Sequence, residues 1–239
     1  MTLSEDTRNL SPGTGVGFYS ATCTACITAL TFIIAVLTPP LAGPWCTSGC
    51  IEYPYDNIIS RFPRDYYWMY PAMILCIVFV VLIVSIHQYA SLDKKVYSLS
   101  ALVFATISSA ILFVDYFLQL SVIQPSLLKR ETDGIALLTQ YNPHGIFIAL
   151  EEVGYLMMSL SFFFIVPVFS KANNLEKTLR ITLFVSFLLT IVALVLISVR
   201  YGIQREYRFE IAVITINYIT LFVSAILLSR LFKGMKVDK

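Results

Sequence analysis

Glu151 and Glu152 are adjacent carboxylates set about two turns inside a hydrophobic stretch that opens at Gln140-Tyr141-Asn142-Pro143-His144-Gly145. A charged side chain in hydrocarbon costs a few kcal/mol or more, so acids in a spanning helix face a protein interior or a wet cavity. Helical spacing puts His144, Ile148, Glu151 and Tyr155 on one stripe. Gly145, Ala149, Glu152 and Ser159 form a second, small-residue seam suited to helix contact.

Other apolar stretches carry polar groups of the same kind. Ala101, Ala105, Ser108, Leu112, Asp115 and Gln119 share a stripe that is small at one end and polar at the other. Glu210, Asn217 and Ser224 align on the last stretch, and Thr182, Ser186, Ala193 and Arg200 on the one before it. Depth makes these patterns converge. Asp115 lies about 13 Å from a helix end at Gln124, Glu151 about 10 Å from His144, and Asn217 about 10 Å from Glu210. Asp115, Glu151 and Asn217 are therefore expected around one polar cavity, with Glu152 beside it, His144 and Gln119 at its entrance and Arg200 at the rim. Crowded, desolvated carboxylates are the usual equipment of a proton or cation site. The competing explanation is a polar network that fastens three helices, whose interhelical hydrogen bonds contribute under about 2 kcal/mol each.

Several chemistries are excluded or weak. No Lys lies inside an apolar stretch, so a retinal Schiff base has no attachment point. His87 and His144 fall near opposite membrane faces and cannot share one haem or metal. No His-Glu-x-x-His, Gly-x-Ser-x-Gly or phosphate-binding glycine loop occurs, and a zinc site from His144, Asp115 and the glutamates has no characteristic spacing. Cys23 and Cys26 make a Cys-x-x-Cys, but Cys46 lies twenty residues beyond Cys26, roughly 30 Å along a helix, so no thiol relay connects them. The inner pair, like Cys76, is expected to pack. Cys46 and Cys50 are a disulfide candidate if their side is oxidising.

The elements that must position these residues follow from composition. Hydrophobic residues make up 57% of the 239 and charged residues 13%, with mean hydropathy +0.76. A soluble domain needs a larger charged surface, so hydrocarbon must supply most of the solvent. A net charge of +2 spread over short loops argues against nucleic acid. A bilayer core of about 30 Å takes about 20 apolar residues per helix. Six stretches qualify, at roughly 17–42, 68–90, 97–124, 143–169, 179–200 and 210–232. Only short loops and tails remain, which predicts one all-helical transmembrane domain over 1–239. The polar start of the chain predicts an uncleaved first anchor rather than a signal peptide.

Ten of the Lys and Arg residues, from Arg8 through Lys239, fall on one side of this arrangement and seven on the other, which predicts a cell-membrane protein with both termini cytoplasmic. The long outer loop, Pro39 to Tyr67, is rich in Pro and aromatics and should cap the bundle at headgroup level. Thr24, Thr28, Thr31, Ala35 and Thr38 give the first helix a small face for close packing. Gln124-Pro125 should end the third helix, and Asn142-Pro143 should cap and open the fourth.

The sequence thus points to a multi-pass protein whose acids bind or transport a proton, a cation or a small basic solute. A lipid-modifying enzyme using Glu151 or Asp115 as acid or base, helped by His144, is the rival from another class. The third reading is an accessory subunit whose small seams meet a membrane partner or a second copy. The residues name no cofactor and no substrate.

Overall fold

The computed structural model describes residues 13–38 and 41–237. The chain termini, with Arg8 and Lys239 of the charge count, lie outside the described residues, as do Pro39 and Pro40. Six helices are long and apolar enough to cross a membrane, and the protein is an all-helical, multi-pass membrane protein. They are α1 (Gly13–Val36), α2 (Met69–Tyr89), α3 (Lys95–Leu118), α6 (Ile146–Ile165), α7 (Asn174–Tyr201) and α8 (Tyr207–Val237); two short helices, α4 (Gln124–Leu128) and α5 (Ile135–Leu138), lie between α3 and α6. Each long helix packs on the next in chain order, α8 closes back on α1, and α6 also touches α8. The turns α2–α3 and α6–α7 share one end of the bundle, here the short-turn end. The segments 41–68, 129–145 and 202–206 share the other, the long-loop end.

Small residues set the close contacts, as expected where lipid tails remove the hydrophobic drive between helices. Thr24, Thr28 and Thr31 are fully buried along α1, and a Cβ on Gly17 would sit 3.0 Å from the Phe232 ring of α8. On α6 the close approach is at Gly154, where a Cβ would lie 2.5 Å from Leu112 of α3. It is not along the expected seam, since Ala149 is exposed. Ser161 Oγ donates to the Ala101 carbonyl at 2.9 Å, a second tie between α3 and α6. Helix α7 is the outermost: 17% of its apolar window is buried, and Leu188, Val192, Leu196 and Val199 are exposed. In a bilayer such a face meets lipid tails.

Three boundaries differ from the sequence expectation. The first helix stops at Val36 rather than near residue 42. Pro125 does not end the third span, because a π turn at Gln119–Ile123 shifts the hydrogen-bond register and places Pro125 in the first turn of α4. Asn142-Pro143 does not open α6. The Asn142 carbonyl accepts from Gly145 N at 2.9 Å and its side chain from His144 N at 2.9 Å, closing a turn, and Gly145 stands at the N-cap. At the other end of α7, Gly202 takes a positive φ of 56° and releases the chain into α8.

The loop 41–68 folds over the long-loop end. It buries Ile51 and, within its short 3-10 turns, Ile58 and Tyr66, and the Ile51 amide donates to the Leu41 carbonyl at 2.7 Å. Cys46 and Cys50 are joined by a disulfide within it. Cys23 and Cys26 are free and exposed on α1, on its outward side, so they do not serve as packing residues; Cys76 is buried.

Candidate functional site

Under the loop lies a cavity of about 430 Å³. Phe32, Ala35 and Val36 of α1, Trp45 and Trp68 of the loop, Phe147 and Ile148 of α6, and Ile211 and Ile214 of α8 make its walls. Val36, Trp45 and Ile211 are substantially exposed and mark its mouth, beside the end of α1. The volume falls in the range of small-molecule sites, and the lining is of the mainly apolar kind that such sites have.

Its floor is polar. Tyr116 of α3 donates its hydroxyl to Glu151 Oε1 at 2.7 Å and meets the Tyr155 hydroxyl at 2.9 Å. Tyr155 continues to the Tyr218 hydroxyl at 3.5 Å. Glu151 and Glu210 both line this floor and lie close enough for their carboxyl groups to interact, an arrangement that favours a proton or a cation between them. No donor group among the described residues reaches Glu210 Oε2. Both residues sit in the first turns of their helices, about 7 Å into α6 and about 5 Å into α8, so the pair lies near the long-loop end of the bundle. The edge of Trp68 packs on the Tyr116 ring at 5.1 Å and fixes the phenol that holds Glu151.

No family model, curated protein or solved structure matches this chain.

The residues expected at one site are distributed as follows. Asp115 is buried and close enough to Glu151 to interact electrostatically, but it does not line the cavity, and its Oδ2 has no partner. Gln119 donates to the Leu138 carbonyl at 2.6 Å and accepts from Gln140 N at 3.1 Å, tying the end of α3 to the following connection. His144 is exposed and away from the cavity lining. Glu152 turns instead to Arg205, with which it forms an ion pair. Arg200 is exposed and lies over the Tyr201 ring. Asn217 is fully buried in a different cluster, donating to the Val213 carbonyl at 2.8 Å and to Ser159 Oγ at 3.0 Å, with Thr190 Oγ1 3.1 Å from Ser159 Oγ.

The common depth of Glu151 and Asn217 fails for a simple reason. Helix α6 begins at Ile146 and α8 at Tyr207, so Glu151 is about 7 Å deep and Asn217 about 15 Å. The partner that Glu151 does meet, Glu210, shares the Asn217 stripe and lies in the first turn of α8. Tyr116 follows Asp115 directly, and a search for buried phenols beside the acids would have found it. Asp65, which also lines the cavity, carries no signal in the sequence, since its position depends on how the loop folds back.

Chemically, the floor offers the carboxyl groups of Glu151 and Glu210 and the hydroxyls of Tyr155 and Tyr218, with Tyr116 behind Glu151. Among the described residues no three or more His, Cys, Asp or Glu gather in a way that could hold a metal ion.

Proposed function

We propose that the protein binds a small organic cation, an amine with an apolar body, in the cavity, its ammonium group between Glu151 and Glu210. The observation that carries this reading is the presence of two buried carboxyl groups, Glu151 and Glu210, at the floor of an otherwise aromatic and aliphatic cavity. Intramembrane acids of this kind are costly and mark functional positions. An ammonium group can take the place of the proton that two touching carboxyls require, and the surrounding Tyr and Trp faces are favourable surfaces for a cation. The apolar walls suit an aliphatic body, and the mouth beside the end of α1 lets such a molecule enter from the lipid side. Toward the short-turn end lies a void of about 10 Å³, among Phe79, Leu82 and Phe162, which favours a site entered from one end over an open channel.

The test is a comparison of octylamine with octanol, by titration calorimetry on the full chain in lipid nanodiscs. The amine is expected to bind at least about tenfold tighter than the alcohol. Glu151→Gln, which keeps an acceptor for Tyr116, should erase that preference. Equal affinities for amine and alcohol in the unaltered protein would overturn the proposal.

A further inference from the structure

A third acid faces the same cavity. Asp65, on the turn Arg64–Tyr66, is 2% exposed and lines the cavity across Trp68 from the glutamate pair. Its Oδ2 accepts the Tyr141 hydroxyl at 3.0 Å, while its Oδ1 is buried and receives no hydrogen bond from the described residues. Burial first, then the neighbouring Tyr66 and Asp65, holds the Tyr141 phenol well above its usual range, so it stays a donor to Asp65. Arg61 is near enough to act on Tyr141 but makes no ion pair with Asp65. A buried carboxylate with one oxygen unmatched is expensive, and the cost is recovered if a donor arrives from the cavity.

The spacing of the two acid positions is set by an aromatic wall. Trp68 follows Asp65 by three residues and packs on Tyr116, whose hydroxyl holds Glu151. Both positions thus face one cavity, and a linear alkyl chain with a head group at each end can meet both.

We propose that Asp65 is a second anchor and that the ligand is a linear diamine, one ammonium between Glu151 and Glu210 and the other on Asp65 Oδ1. Its methylenes lie against Trp68 and Phe147. This rests on the reading of the cavity as an amine site and adds the second head group.

The experiment measures octylamine and the eight-carbon terminal diamine side by side on the full chain in nanodiscs. The diamine is expected to bind at least about tenfold tighter than octylamine. In Asp65→Asn, which preserves an acceptor for Tyr141, the ratio of the two affinities should fall to about one, because the second charge partner is gone. In Tyr141→Phe, which keeps the carboxylate, the ratio should stay above about tenfold. If octylamine binds but the diamine binds no tighter, the second anchor is wrong and the amine site stands. If Asp65→Asn weakens both amines by the same factor, Asp65 only supports the loop and the inference is overturned. If neither amine binds, both readings fall together.

Discussion

At the short-turn end of the bundle, charged side chains close the backbone. Lys94 donates to the Val168 carbonyl at 3.2 Å, Lys95 to that of His87, and Arg180 to the carbonyls of Val166 and Phe169 at 3.0 and 2.8 Å. Glu176 accepts from Ser170 N at 2.6 Å, and Asn173 caps α7. Each of these groups meets an orphan donor or acceptor at a helix end, the ordinary need of a helix terminus. At the long-loop end the acids do something else. Glu151 and Glu210 face each other, and Asp65 and Asp115 each have an oxygen without a partner. Beside them is a cavity of about 430 Å³, against a void of about 10 Å³ toward the other end. The charged groups at the short-turn end close helix termini, whereas at the long-loop end Glu151, Glu210 and Asp65 line a cavity.

That contrast can be broken by substitutions that separate stability from binding. The largest effect is expected at Phe79, fully buried against Phe162 toward the short-turn end. Phe79→Ala should lower the free energy of unfolding by about 3 kcal/mol through lost packing. It should leave octylamine affinity within about twofold, because the site is remote. A chemical-denaturation curve and a calorimetric titration on the same sample check both. A large loss of affinity would show that the two ends are coupled rather than separate.

Glu151→Gln should behave in the opposite sense. Octylamine affinity should fall about a hundredfold, since a buried charge partner is removed. Stability should hold or rise, because the crowding with Glu210 is relieved. A variant that unfolds readily would return Glu151 to the role of a helix fastener.

The six spans and their order were legible in the sequence because hydrophobic length is a strong signal and needs no tertiary information. The small face of α1 was legible for the same reason, as Thr24, Thr28 and Thr31 repeat at helical spacing. The candidate site was legible only in part. Glu151 stood out because a carboxylate inside an apolar stretch is conspicuous, and Asp115 with it. Glu210 heads the Asn217 stripe in the sequence, but its pairing with Glu151 was not legible, because α8 starts three residues earlier than expected and sets that acid deeper in the bundle. Asn217 and Gln119 are conspicuous by the same criterion yet serve helix contacts, since residue type alone does not separate an open polar group from a satisfied one. Asp65 reaches the cavity through the tertiary path of a loop that has no periodicity to read.

The disulfide of the long loop gives a smaller effect. It closes a short loop, so replacing Cys46 and Cys50 together by Ser should cost at most about 2 kcal/mol, read as a modest drop in thermal midpoint. Because Trp45 beside it lines the mouth, octylamine affinity should fall by a few-fold, about threefold, through a less ordered wall. An unchanged affinity would show that the mouth is held by the rest of the loop.

The smallest effect concerns pH. The Tyr141 phenol is raised by burial, so the folded protein keeps it neutral while the unfolded chain ionises it above about pH 10. Its contribution to stability is complete below that pH and is lost as pH rises beyond it. Tyr141→Phe should therefore flatten the decline of stability with rising alkalinity, and an unaltered slope would place the titrating group elsewhere.

The most direct test of the amine site is the structure of the full protein with octylamine bound in lipid. Its nitrogen is expected within about 3 Å of an oxygen of Glu151 and an oxygen of Glu210, with the alkyl chain along the wall toward Val36 and Ile211. An amine resting at the mouth near Trp45, with the two glutamates still in contact, would contradict it.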